Sequence, residues 1–291
     1  MAGALSRSEA AELSLSGSSP ELEQIEVGLL LDGVRLCYGY DFREYAIGPL
    51  RRSLATAMAR ENVRTISAYQ ERILHEPAVM QRLLGLVGVS VTTMFRDSDL
   101  IHCLREDVLP VLRTYPSCRI WVAGCASGEE VYSLAVLLRE ESILGRSTIY
   151  ATDLNEDMLA VGRLGTYPLE KVRRFEESYQ ESGGKGSLAD HYAVTGRAAR
   201  FDPRLQTSIT WARHNLVTDG SFNDFHLIVC ANVLIYFRSS LQERAHRLFY
   251  DSLVRGGYLA VGKRESLINC PDRDSFEQVR DGVNLYRKMR W

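Results

Sequence analysis

Three short segments hold residue types whose spacing could do chemistry. The first, Gly124-Cys125-Ala126-Ser127-Gly128-Glu129-Glu130, follows the apolar run Arg119 to Ala123 and opens a helical pattern over Glu129 to Arg139. Gly124 and Gly128 let the backbone approach a ligand, and in an open parallel sheet such a turn lies at the carboxyl end of a strand, where ligands bind. Two carboxylates at the start of the helix repel a phosphate although the helix dipole favours anions, and there is no GK[ST] ending. A ligand with an ammonium and a sulfonium suits this turn; a tight turn whose acidic residues stabilise the helix is the competing reading. The second segment places Asp153 after the strand Thr148 to Thr152, where a carboxylate accepts from both hydroxyls of a ribose. Asn155 is expected to cap the following helix, with Glu156 and Asp157 in its first turn; the same capping role is the alternative for Asp153. The fuller GxGxxG pattern of a nicotinamide-dinucleotide site is absent. The third segment, FHLIVCANVLIYF, is a buried strand running into Asn232 and Tyr236. Asn232 stands where a polar side chain can face a ligand, and Tyr236 adds a hydroxyl, unless it is a core tyrosine with its hydroxyl at the surface.

The elements needed to position these residues are legible around them. After Thr92, strands alternate with helices, the signature of a parallel sheet covered on both faces. The strands read as Arg119 to Ala123, Thr148 to Thr152, Ser208 to Ala212, Phe225 to Cys230 and Tyr258 to Val261. Helices are expected over Glu129 to Arg139, Glu156 to Arg163 and Ser239 to Val254, the last stopped by Gly256-Gly257. The closing SFEQVRDGVNLYRKM reads as an antiparallel hairpin about Asp281-Gly282. A polar stretch at about 166–207 breaks the alternation, with ESGGKGS as a flexible loop and HYAVTGRAARFDPRL as short strands, and reads as an insertion. Ahead of the sheet, Asp41 to Leu86 has helical spacing throughout. The expected organisation is a mobile tail over 1–22, a helical domain over 23–90, and an α/β domain over 91–291.

Composition sets limits. Among 291 residues, 35 basic and 37 acidic side chains leave a net charge of -2, so no global field draws the chain to nucleic acid or to an anionic membrane. No apolar stretch is long enough to span a bilayer, and the first twenty residues lack a secretory pattern. Six cysteines without a CxxC pair, and histidines without HExxH spacing, argue against a disulfide framework and against a metal site, and fit a cytoplasmic protein.

Taken in order, VTTMFRD at Val91 to Asp97, GCASGEEVYSLA, ATDLNEDML, HNL at His214 to Leu216 and NVLIYF resemble the receptor-modifying glutamate methyltransferases usually called CheR. The resemblance runs from about Tyr40 to the C-terminus. It implies a doubly wound, Rossmann-like class I methyltransferase sheet with a terminal antiparallel hairpin, preceded by a small all-helical domain and carrying a small β-subdomain as an insertion. It implies S-adenosyl-L-methionine as cofactor, S-adenosyl-L-homocysteine as product, and glutamate methyl esters on a chemoreceptor-like protein. By position, Ser90, Thr92, Arg96 and Gly124 belong to the cofactor site, Glu129 binds the amino group and Asp153 the ribose. Asn215 and Leu216 flank the adenine, Asn232 lies near the transferred methyl, and Arg96 and Tyr236 orient the acceptor carboxylate. A basic stretch of Arg43, Arg51, Arg52, Arg60 and Arg64 stands where relatives meet acidic receptor helices.

Three positions depart from the family pattern: Ala231 replaces an arginine before Asn232, Ser90 replaces an asparagine, and Gly262-Lys263-Arg264-Glu265 replaces GHSE. Lys263 and Arg264 either compensate for the lost arginine or reshape the site. The insertion has only Gly196 in VTGRAARFDP, so no tethering to a receptor C-terminal peptide is expected. An active glutamate methyltransferase, a cofactor-binding regulatory relative and a methyltransferase for another acceptor all remain open at this level.

Overall fold

The computed structural model describes residues 19–87 and 92–289. The chain divides into two compact units, one made of the N-terminal helices with Tyr236–Arg238 and the other of the remaining residues.

The first unit contains α1 (Pro20–Tyr38), α2 (Ile47–Arg60), α3 (Ile66–His75) and α4 (Pro77–Val87). Helix α1 starts because Ser19 Oγ accepts from the Leu22 N–H and Pro20 occupies its first turn; it stops at Gly39, whose φ of 75° suits glycine. It begins ahead of Glu23, so residues 20–22 are helical and do not belong to a tail. Its periodicity is blurred in the sequence because apolar residues occupy both faces. Val27, Leu30, Leu31 and Val34 are buried, while Leu22, Ile25, Leu29 and Leu36 are exposed. α1 packs on α3, and α2 on α4. Residues 236–238 return to this unit: Tyr45 and Phe237 form an antiparallel bridge, and Ala46 N–H donates to the Tyr236 carbonyl at 2.7 Å.

The basic stretch is not one free surface. Arg43 is held by Asp41 at 2.7 and 2.9 Å and lies 3.3 Å from Asp32, while Arg51 is paired with the buried Glu23. Carboxylates of the same unit thus pair with both of these guanidinium groups. Arg52, Arg60 and Arg64 are exposed and lack an ion-pair partner among the described residues.

In the second unit, α5 (Ser98–Cys103) continues through a π-helical turn at Leu104–Val108 into α6 (Leu109–Leu112). The sheet strands and their helices follow as β1 (Cys118–Ala123), α7 (Glu129–Glu140), β2 (Ser147–Asp153) and α8 (Glu156–Leu164). Next come β3 (Thr166–Pro168), α9 (Leu169–Arg173), α10 (Glu176–Glu181), β4 (Tyr192–Thr195), β5 (Ala198–Phe201) and α11 (Pro203–Gln206). The chain then adds β6 (Ile209–Arg213), β7 (Phe225–Cys230), α12 (Ser239–Ser252), β8 (Leu253–Val261), β9 (Phe276–Gln278) and β10 (Leu285–Lys288).

The seven-stranded sheet runs β6-β2-β1-β7-β8-β10-β9, with β10 antiparallel to both its neighbours and the other pairings parallel. Strand order reverses between β1 and β7, the place where a crevice opens beyond the carboxyl ends of the strands. Trp121, 0% exposed in the middle of β1, centres the core on one face. Its ring meets His214, Phe222, Phe225 and Phe249, and its Nε1–H donates to Thr152 Oγ1 at 2.7 Å. The pairing satisfies a polar atom that burial alone would penalise.

The insertion forms a separate antiparallel sheet in the order β3-β5-β4. The ESGGKGS segment, expected to be flexible, is tied down: Tyr179 Oη donates to the Lys185 carbonyl at 3.0 Å and Gln180 Nε2 to that of Gly186 at 2.6 Å. Gly256-Gly257 does not end α12, which stops at Ser252; the pair lies inside β8. A Cβ on Gly257 would stand 3.0 Å from the Phe225 carbonyl oxygen, beside the register shift between β7 and β8, so close strand approach explains this glycine.

Candidate active site

The turn between β1 and α7 is shaped by contacts that need glycine. Gly124 has a φ of 73°, and a Cβ there would lie 2.5 Å from Val233, in the turn after β7. Gly128 has a φ of 90°, and its Cβ would strike the Trp211 ring at 2.6 Å. The glycines thus press this turn against the neighbouring strand ends. From β2, the Thr152 carbonyl accepts the N–H groups of Gly124 and Cys125 at 2.8 and 2.9 Å.

Asp153 stands at the end of β2, with one carboxylate oxygen accepting from Ala126 N–H at 2.8 Å and the other from Asn155 N–H at 2.8 Å. Burial pushes its carboxyl above the ordinary value, and these backbone donors oppose the shift. Asn155 caps α8, taking the N–H groups of Asp157 and Met158. Capping thus falls to Asn155, and Asp153, two residues earlier, is oriented by backbone donors with carboxylate lone pairs left over. The end of β6 is joined to the same corner, since His214 N–H donates to the Asp153 carbonyl at 3.2 Å. Asn215 and Leu216 follow there, each 8% exposed; the Asn215 side chain accepts from Val217 N–H at 2.9 Å.

The two acidic residues that open α7 have different surroundings. Glu129 is 0% exposed, with its carboxylate held by Lys171 Nζ and by Ser127 Oγ at 2.7 Å. It is turned toward the insertion and already neutralised, which corrects its assignment as the ammonium ligand. Glu130 is half-buried and has no hydrogen-bond or ion-pair partner among the described residues. Burial raises its carboxyl to about 7; the Glu265 charge adds to the shift and Arg96 opposes it. Glu130 is the free acidic group at the crevice. The sequence held a signal for it, the doubled Glu129-Glu130, but not which of the two is left without a partner.

Glu265 is 6% exposed and accepts four backbone N–H groups: Asn232 at 2.8 Å, Leu234 at 2.7 Å, Ile235 at 3.3 Å and Gly262 at 2.6 Å. This clamp holds Asn232 at a φ of 62° in the left-handed region. A Cβ on Gly262 would sit 2.7 Å from the Glu265 carboxylate, so glycine and glutamate are needed together. Sequence reasoning treated this segment as a departure; its glutamate organises the turn after β7. Lys263 is exposed, its Nζ 3.8 Å from Asp99.

The remaining candidates are placed as follows. Phe95, with a φ of 50°, donates its N–H to Ser133 Oγ at 3.0 Å, which fastens the turn before α5 to α7. Thr92 is half-buried and Arg96 is exposed, close enough for its charge to act on Glu130. Ser90 lies outside the described residues. Tyr236 groups with the helical unit, as described above. Burial pushes the thiols of Cys125 and Cys230 well above their ordinary value, so neither is a thiolate nucleophile. No cluster of metal-ligating side chains occurs among the described residues.

The carboxyl end of β2 and the segments that follow β1, β6 and β7 at their carboxyl ends thus carry Asp153, Glu130, Asn215 and Asn232 on one edge of the sheet. A free carboxyl and a diol-binding aspartate fit a ligand bearing an ammonium and a ribose, and disfavour a polyphosphate by charge.

A family model described as the CheR methyltransferase SAM binding domain matches residues 90–283, and one described as the CheR methyltransferase all-alpha domain matches residues 25–87. Cher3 of Pseudomonas putida, provisionally named a methyltransferase, is 41% identical over 264 residues, covering 91% of this chain and 97% of its own. A chemotaxis protein methyltransferase of Listeria monocytogenes is 28% identical over 236 residues, 80% of this chain and 87% of its own. Chemotaxis protein methyltransferase 1 of Pseudomonas aeruginosa is 27% identical over 250 residues, 79% and 85% of the two chains. With both domains matched and the cofactor crevice built from the strand ends that the fold provides, this chain belongs to the CheR methyltransferase family.

Proposed function

We propose that the chain transfers a methyl group from S-adenosylmethionine to glutamate side chains of a chemoreceptor-like protein, forming methyl esters. The observation that carries this reading is the unpaired Glu130 in the same turn whose Ala126 N–H orients Asp153. In the bound state Glu130 would hold the ammonium and Asp153 the ribose hydroxyls, with Asn215 and Leu216 beside the adenine and Asn232 near the sulfonium. The cofactor supplies an electrophilic methyl; the chain binds, orients and excludes water. A glutamate acceptor, with an ordinary pKa of about 4.3, is ionised at neutral pH and needs no general base. That requirement suits a crevice whose two buried thiols stay protonated. Arg96 is assigned to orienting the acceptor carboxylate, a task of alignment more than activation. The names of the chemotaxis methyltransferases of Listeria and Pseudomonas aeruginosa support the acceptor class. Exposed Arg52, Arg60 and Arg64 form the revised basic face for an acidic receptor helix. A cytoplasmic protein that uses no C-terminal peptide tether completes the proposal; no helix among the described residues is long and apolar enough to cross a membrane.

One observation favours a second reading, a cofactor-binding regulator with weak transfer. Ala231 leaves the arginine position empty of charge. A lost charge-assisted hydrogen bond weakens binding by roughly 1.5–3 kcal/mol. Calorimetry with S-adenosylmethionine, then a labelled-methyl assay on receptor cytoplasmic domains, separates the two. Base-labile label on the receptor supports transfer to glutamate. Binding without label supports the regulator, and label stable to base points to another acceptor. Absence of binding overturns both readings, and Asp153→Ala should abolish measurable binding.

A further inference from the structure

The inserted subdomain reaches the glycine turn at two polar points. Lys171, on α9, sets its Nζ against Glu129 Oε1, and Tyr167, on β3, donates its hydroxyl to the Ser127 carbonyl at 2.6 Å. Glu129 is 0% exposed, so its charge has no access to water and depends on Lys171 and on Ser127 Oγ. Tyr167 is 3% exposed and packs edge-on against Tyr132 and Phe201, which fixes the direction of its hydroxyl. Helix α9 is itself anchored: Val172 is 0% exposed, and Leu169 N–H donates to the Arg197 carbonyl between β4 and β5 at 2.9 Å. Lys171 is therefore carried by the body of the three-stranded subdomain.

The opposite side of the same turn is fastened to β2 through Thr152 and Asp153. Residues 124–130 are thus gripped from two directions, by the strand end that presents Asp153 and by the insertion. Removing the ammonium of Lys171 strands a buried carboxylate, an arrangement that costs several kcal/mol unless the group protonates or swings to water. A swing would displace the next residue, Glu130, and loosen the Ala126 N–H that orients Asp153.

We propose that Lys171 and Tyr167 are positioning residues, through which the inserted subdomain sets cofactor affinity without touching the cofactor. This rests on the reading that the turn holds S-adenosylmethionine. Because coupling between sites is reciprocal, cofactor binding must in turn restrain the subdomain.

Calorimetry on the full chain with S-adenosylmethionine tests the coupling. Lys171→Met is expected to raise Kd by about tenfold or more, within the usual range for coupled sites, while Lys171→Arg stays within about threefold of the parent because the charge is retained. Adding Glu129→Gln to Lys171→Met should recover most of the lost affinity, since no buried charge is then left unpaired. Tyr167→Phe, which keeps the ring packing, should raise Kd by about threefold or more. Amide exchange over residues 166–173 should slow on cofactor addition in the parent, and less so in Lys171→Met. If Lys171→Met does not fold, Tyr167→Phe and the exchange response of the parent decide. Folded variants that bind like the parent, or a parent subdomain whose exchange ignores the cofactor, overturn the inference. A parent that binds no S-adenosylmethionine overturns the cofactor reading instead.

Discussion

Replacing Glu130 by glutamine isolates the charge to which we assign ammonium recognition. Burial, reinforced by Glu265 and opposed by Arg96, raises the Glu130 carboxyl from its ordinary 4.5 to about 7. At about 1.4 kcal/mol per unit, the ionised side chain destabilises the ligand-free fold by at most about 3.5 kcal/mol. Because the folded-state pKa lies above the unfolded one, this contribution is favourable below the unfolded value and is lost as pH rises toward 7. Glu130→Gln should remove that slope and leave the ligand-free protein more stable than the parent at about pH 8. Cofactor binding reverses the sign, since the ammonium requires the carboxylate. Calorimetry in buffers of different ionisation enthalpy should detect release of about 0.9 proton per ligand at about pH 6, where the ligand's own amino group is fully protonated, and less toward neutral pH. The apparent Kd should tighten roughly fivefold between about pH 6 and about pH 7. In Glu130→Gln the release should vanish and Kd rise by roughly 10- to 150-fold, the equivalent of one charge-assisted hydrogen bond. 5′-Methylthioadenosine, which keeps the nucleoside but lacks the amino-acid moiety, should bind parent and variant alike. A parent Kd that is flat from about pH 6 to about pH 7 without proton release, or a glutamine variant with the parent's affinity, refutes the assignment.

Other parts of the molecule give further tests. Glu265→Gln leaves part of the four-donor clamp with a neutral acceptor and should cost roughly 1.5–3 kcal/mol in chemical denaturation, together with weaker cofactor binding as the turn at Asn232 relaxes. Trp121→Ala opens a cavity in the middle of the sheet and should cost roughly 3–5 kcal/mol by the same measurement. Charge reversal at Arg52 and Arg60 together should slow association with an acidic receptor helix and flatten its salt dependence, read by stopped-flow mixing at several ionic strengths, while reversal at Arg43 should act mainly on stability through Asp41.

The alternation of strands and helices was legible because the central strands β1 and β7 are buried on both faces, which leaves near-continuous apolar runs. Strand β7 runs Phe225–Cys230, as its composition predicts, and α7 begins at Glu129 as predicted. Helix α1 was missed as a periodic element because its outer face is also apolar, and the tail estimate ran into it. The Gly256-Gly257 pair misled for a related reason. Glycine marks both helix ends and close strand approach, and only the neighbouring β7 carbonyl shows which applies here.

By itself the sequence determined the site's inventory: a glycine turn opening on two carboxylates, Asp153 one strand later, and a polar segment after a buried strand. These follow from local spacing, and local spacing is enough to put them at the carboxyl ends of neighbouring strands. Tertiary structure decided what each charge does. Glu129 and Glu130 are adjacent in the chain, yet a lysine from the insertion neutralises one and leaves the other free. Arg51 and Arg52 are likewise adjacent, and a buried glutamate occupies only the first. Helical geometry points consecutive side chains in different directions, so the partner that each one meets is set by elements distant in sequence.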